Sequence, residues 1–228
     1  MIRVGVVCSS GGSVFSEAYK ILNASGYDVQ FNVVTDRPCG AENICDEFGI
    51  PWCRIDSKSR TEFSIRAANW LYAENRVDWT VLFFSRLVSS DFFSKAPCIN
   101  FHPSLLPAFP GFGALKEALR SRVRFMGTTA HRVDDSMDNG PILAQTISPI
   151  LNSHVLQDIE RISFAQKLYL LLLMFELAER GELIDLYEGR RSEVDSKISP
   201  WANPSLRDHI LIKRYEQFLE REGIRWQY

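Results

Sequence analysis

The 228 residues are 46% apolar and 24% charged, enough for one sizeable α/β domain with its own core. A net charge of -2 and an isoelectric point near 6.1 give no global attraction to nucleic acid or to an anionic membrane surface. No apolar run reaches the roughly eighteen residues of a transmembrane helix. The start Met-Ile-Arg-Val-Gly-Val-Val leads straight into a β-branched run, without the pattern of a secretory signal.

Five cysteines, an odd number with no C-x-x-C pair, suggest reduced thiols in a cytoplasmic protein and argue against a disulfide framework or a zinc site. His102, His131, His154 and His209 show no short metal-ligand spacing, so no metal is expected. In chain order, residues 2–8 predict a buried strand. Ser9-Ser-Gly-Gly-Ser13 follows, and then a helix with Phe15, Ala18, Tyr19, Ile21 and Leu22 on one face. A strand, a Gly/Ser turn and a helix can cradle an anion on free backbone N–H groups at the positive end of the helix. The turn is neither G-x-G-x-x-G nor a Walker loop, so neither a dinucleotide nor ATP is indicated. The alternative is that Gly11 and Gly12 only make a tight turn.

Residues 29–35 predict a second strand, and 41–48 a short helix ending at Gly49. Between them Arg37 is either a solvated cation or an anion ligand. A third strand at 52–55, an amphipathic helix at 61–75 and a strongly apolar strand at 79–84 follow. Strands alternating with helices at these lengths predict a doubly wound, mostly parallel sheet covered on both faces. Ser89 opens a short helix with N-cap chemistry.

Residues 99–102 form the next strand. Asn100 and His102 lie two apart, so the pleat turns both to one face, and Pro103 ends the ladder at the rim. Pro107 and Pro110 stiffen the loop beyond. A helix is expected at 115–120, a strand at 125–133 carrying Thr129 and His131 on one face, and a last strand at 142–150. Asp138 sits in the turn-forming run Asp-Asn-Gly-Pro. An amide, an imidazole and a carboxylate brought together can bind and protonate a carbonyl oxygen. The competing reading makes Asn100 and His102 buried partners of loop backbone, and Asp138 a turn residue. Asp134, Asp135 and Asp138 read as solvated rather than as a divalent-cation site.

Residues 155–180 predict a long helix, apolar almost all round, which suits a buried core helix. Residues 192–204 read as a polar strap. Asn203-Pro204 predicts the start of a last helix, whose apolar stripe is Leu211, Tyr215, Phe218 and Leu219. That helix packs on its own domain or on a dimer mate.

The motifs Asn100-Phe-His102-Pro-Ser-Leu-Leu-Pro107, Pro110-Gly111, Gly127-Thr-Thr, His131 and Asp138-Asn-Gly-Pro141 resemble the folate-dependent formyltransferase family. Within it they are most similar to the glycinamide ribonucleotide branch, and residues 100–145 align without a gap. The likeness covers residues 1–185, taken as the catalytic domain, and leaves 186–228 as an extension. It implies a Rossmann-like fold with an added C-terminal helix. It implies formyl transfer from the co-substrate 10-formyltetrahydrofolate to a primary amine of a small acceptor. Asn100, His102 and Asp138 would be catalytic. Arg86, Leu87, Val88, Asp134 and Asp138 would face the folate, and Gly11, Gly12, Ser13, Pro103 and Lys167 the acceptor. Thr129 and His131 would support the site, and Leu106-Pro107 would be cis.

The chain departs from the family pattern at three places. Val14 replaces an Asn after the anion turn, Phe84-Ser85 replaces an aromatic-Met pair, and a Glu on the long helix becomes Ala165 or Lys167. These departures keep amino-sugar nucleotides in view as acceptors. Hydrolysis of the same folate and a non-catalytic folate-binding module are the other readings. The hydrolases usually carry an additional N-terminal domain, which favours transfer here. A methionyl-tRNA acceptor fits less well, without a basic excess or a β-rich C-terminal domain.

Overall fold

The fold begins from a run of β-branched residues, Ile2–Cys8 (β1), almost wholly buried along its length. The computed structural model describes residues 1–190 and 199–226. Eight strands form one sheet in the order β3-β2-β1-β4-β5-β6-β7-β8. In it β2 is Val29–Thr35, β3 Trp52–Arg54, β4 Trp79–Phe83 and β5 Cys98–His102. The pairs β1/β2, β1/β4, β2/β3 and β4/β5 are parallel. Strand β6, Phe125–Arg132, pairs antiparallel with β7, Ile142–Pro149, and β7 pairs antiparallel with β8, Ala202–Asn203.

The chain divides into two compact units, with the boundary inside β5 after Asn100. The first comprises residues 1–100 and 132–137. Its helices are α1 Ser13–Ala24, α2 Gly40–Phe48, α3 Arg60–Ala68 and α4 Ser90–Phe93. The predicted helix at 61–75 is real but changes winding, continuing from α3 as a π-helix at Asn69–Glu74. Val7, Val34, Phe63, Leu71, Leu82 and Phe92 are central to this unit's core. Strand order reverses between β1 and β4, the switch point where a crevice opens at the carboxyl ends of parallel strands. The loops after these two strands touch there: Ser9 N donates to Phe83 O (3.2 Å), and Ser85 N to Ser9 Oγ (3.4 Å).

The second unit comprises residues 101–131 and those from Asp138 onward. It is built on α6, Leu156–Glu179, whose residues 168–177 are all buried. The apolar sequence is thereby explained as a core helix, each buried Leu contributing about 1.5–3 kcal/mol. No helix among the described residues is long and apolar enough to cross a membrane. Helix α8, His209–Glu222, buries the predicted stripe Leu211, Tyr215, Phe218 and Leu219. It packs on α6 of the same chain: Tyr215 OH donates to Ala165 O (2.8 Å) and accepts from Trp226 Nε1 (2.8 Å).

One expectation about the C-terminal region changes. Asn203-Pro204 does not open the helix. The two residues before Pro204 pair with β7, and the Asn203-Pro204 bond is cis. The helix starts after Asp208, whose Oδ1 accepts from the N–H groups of Ile210 (2.8 Å) and Leu211 (3.2 Å). Strand β8 and a short helix α7, Leu183–Glu188, were not anticipated, because neither is long enough to show a period. The polar strap at 192–204 lies partly outside the described residues. Between β5 and α6 the second unit also contains α5, Ala114–Arg120.

Candidate active site

In the second unit His102, His131 and Asp138 come together. His102 is the last residue of β5 and only 5% exposed. Its Nδ1 lies 3.1 Å from Asp138 Oδ2, and His131 Nε2 lies 3.5 Å from Asp138 Oδ1. Gly111 N donates to Asp138 Oδ2 at 2.8 Å. Burial by itself raises the Asp138 carboxyl. Hydrogen bonds from His102, His131 and the Gly111 N–H outweigh that effect and hold it well below the usual carboxylate range. The acid is therefore a fixed anion between two imidazoles.

Local structure aims these groups. Asp138 takes φ 52°, a left-handed conformation that Asp tolerates better than most residues. Strand β6 shifts register against β7 between Ala130 and His131, and such a bulge re-aims the following side chain. Thr129 does not reach the carboxylate. It donates to Ser104 O (2.7 Å) and accepts from Leu106 N (3.1 Å), holding the loop after His102. The Leu106-Pro107 bond in that loop is cis, as the family likeness implied. Gln145 completes the brace through its Nε2, which donates to Thr129 Oγ1 (3.0 Å) and Leu106 O (3.1 Å). Sequence reasoning missed Gln145 and Ser104. A half-buried amide on β7 and a buried loop hydroxyl far apart in the chain carry no local signature.

Pro103 is half-buried directly after His102. Lys167 lies half-buried on α6, where burial pushes its ammonium down. No hydrogen bond or ion pair to Lys167 occurs among the described residues. Ala165, the other position aligned with the family's Glu, is fully buried and its carbonyl is taken by Tyr215.

In the first unit Asn100 is half-buried on β5, two residues before His102, so the strand pleat directs both to one face. The turn after β1 has exposed Ser10, Gly11 and Ser13, with Gly12 at φ 72° capping α1. A Cβ on Gly12 would stand 2.4 Å from the Phe15 ring and 3.0 Å from Ala41, so only glycine fits. Val14 is buried at 8% exposure and offers the turn nothing polar.

After β4, the Arg86 guanidinium turns inward, donating to Ser57 O (2.8 Å) and Lys58 O (3.1 Å) and pairing with Asp36 (3.5 Å). Arg37 pairs with the same carboxylate at 2.7 Å and its side chain is 50% exposed, so it is a solvated loop cation held to Asp36. Leu87 is 40% exposed and Val88 buried. Asp134 caps its own turn, accepting from Ser136 N at 2.9 Å. Arg60 was missed from the sequence. Its Nη2 donates to Val88 O (2.7 Å) and lies 3.4 Å from Asp135, while its buried Nε has no partner. This leaves one buried guanidinium N–H without an acceptor close to Val88. No cluster of metal-ligating side chains occurs among the described residues.

An imidazole held by a carboxylate at the end of a strand in a doubly wound sheet is an arrangement suited to acid–base chemistry on a carbonyl group. The chain belongs to the formyl transferase family, whose model matches residues 2–171. It is 31% identical over 207 residues to a phosphoribosylglycinamide formyltransferase of Mycobacterium tuberculosis, covering 86% of this chain and 93% of that one. A formyltetrahydrofolate deformylase of Escherichia coli is 30% identical over 164 residues, 70% of this chain and 58% of its own length. Among solved structures, a glycinamide ribonucleotide transformylase from Symbiobacterium toebii superposes with a TM-score of 0.73 at 30% identity, covering 79% of this chain and 89% of that one.

Proposed function

We propose that this protein transfers the formyl group of 10-formyltetrahydrofolate to a primary amine of a small, anionic acceptor of the glycinamide ribonucleotide kind. The observation that carries the reading is the His102–Asp138 pair at 3.1 Å, on the strand that also bears Asn100. Asn100 and the His102 imidazolium donate to the formyl oxygen, where negative charge develops as the amine adds to the carbon. Preorganised donors of this type are each worth about 3–4 kcal/mol. Asp138 keeps the imidazolium oriented. It also assists, through water, the passage of the proton that the amine loses to the folate nitrogen, which takes it up as its bond to the formyl carbon breaks. The 86–88 segment with Arg60 receives the folate ring. By family likeness Gly11, Gly12 and Ser13 receive the acceptor's anion, and Pro103 and Lys167 are further acceptor contacts. Within the extension that begins at residue 186, residues 206–215 brace α6.

Absorbance of the deformylated folate, followed with and without glycinamide ribonucleotide, tests the reading. Turnover that requires the amine and drops sharply in His102→Asn supports it. Near-wild-type turnover in His102→Asn overturns the mechanism. The deformylase likeness keeps a second reading, hydrolysis, and release of folate at the same rate without any amine would establish that instead.

A further inference from the structure

His102 has no ring N–H to spare. Its Nδ1 faces Asp138 Oδ2 at 3.1 Å, and its Nε2 faces the main-chain carbonyl oxygen of Phe109 at 2.7 Å. A carboxylate and a carbonyl only accept, so each contact can be a hydrogen bond only through a ring N–H, and neither nitrogen then has a second N–H to offer. A second carbonyl oxygen can reach either nitrogen only if one of these acceptors leaves.

The two acceptors are held unequally. Asp138 is gripped by His102, His131 and Gly111 N. The Phe109 oxygen takes only the bond from His102 among those described. Phe109 sits at φ 53°, a conformation that costs an L-residue, and it precedes a proline, which restricts it further. Gly111 and Gly113 follow at φ 81° and 80°, and Phe112 between them is 79% exposed. The loop thus has glycines able to absorb a change of path and a strained residue at its start, with Gly111 N on Asp138 as the point about which the Phe109 peptide can turn.

We propose that the Phe109 carbonyl is a built-in stand-in for the formyl oxygen. Residues 109–113 occupy His102 Nε2 in the resting enzyme and give it up when the donor presents its own carbonyl. The inference rests on the reading of His102 as the donor to the formyl group. The stand-in keeps the imidazolium formed and aligned before substrate arrives, and it keeps water from the nitrogen. On release, residue 109 returns to negative φ, so backbone strain offsets part of the lost hydrogen bond.

Phe109-Pro110 is the one Phe-Pro pair in the sequence, so carbonyl-13C phenylalanine with 15N proline labels a single peptide link. In a carbon-detected spectrum, that signal should shift when 10-formyltetrahydrofolate is added without amine, and stay in place with tetrahydrofolate. A signal unmoved by the formyl donor, while other phenylalanine carbonyls report binding, overturns the proposal and leaves the functional reading intact. If no carbonyl moves at saturating donor, the functional reading fails and the proposal with it. A shift of equal size with tetrahydrofolate overturns the stand-in role. Equilibrium binding gives a second measurement. Phe109→Gly and Phe109→Ala both lack the ring, but glycine relieves the positive φ and so strengthens the capped state. The donor Kd of Phe109→Gly should be about fivefold weaker than that of Phe109→Ala. Equal constants overturn the proposal.

Discussion

Replacing Asp138 by Asn tests the site most directly. The carboxylate accepts from His102 Nδ1 at 3.1 Å, His131 Nε2 at 3.5 Å and Gly111 N at 2.8 Å. An amide keeps the shape but loses the charge and offers one acceptor where there were two. A hydrogen bond to a charged group is worth about 1.5–3 kcal/mol, so kcat/KM for the formyl donor should fall roughly ten- to 150-fold. Stability carries its own signature. The folded pKa of Asp138 lies below its unfolded value, so its contribution is fully present above the ordinary carboxylate range. It is lost as pH falls through that range toward the folded value. The variant should therefore melt roughly 3–12 °C lower than the parent at pH 7, and the gap should narrow below about pH 4. Folate absorbance gives the rate, circular dichroism shows that the fold is retained, and scanning calorimetry at the two pH values gives the stability. A variant with parental kcat/KM and a parental melting temperature at pH 7 would refute the argument.

Gly12→Ala should destabilise by roughly 1–3 kcal/mol in urea titration, since its Cβ would meet the Phe15 ring at 2.4 Å at a positive φ. No change in the midpoint would show that the turn has room to relax. Glu176→Ala removes the acceptor for the N–H groups of Arg207 (2.8 Å) and Asp208 (3.1 Å). The C-terminal segment should then be cleaved faster by protease, with about 1–3 kcal/mol of stability lost, and unchanged cleavage would contradict the bracing role. Glycinamide ribonucleotide should be a weaker acceptor here than for a relative that keeps the Asn and Glu replaced by Val14 and Ala165 or Lys167. Two missing hydrogen bonds place its KM roughly ten- to a hundredfold higher in side-by-side kinetics. A KM equal to the relative's would show that Lys167 or another residue has taken over.

Local patterning was enough to place β1 and β2 at their observed bounds and to require a parallel sheet, because strand and helix periods are properties of short segments. It also placed Asn100 and His102 on one face of a strand and put Asp138 in a turn. Tertiary structure decided what those residues touch. His131 and the Gly111 N–H reach Asp138, the Phe109 carbonyl caps His102, and Arg86 turns away from solvent to Asp36. It also decided that Asn203-Pro204 ends a strand instead of opening a helix. These outcomes depend on partners distant in the chain or on loop dihedrals at single residues. Neither leaves a period in the sequence, and both are settled only when burial drives most buried donors to an acceptor.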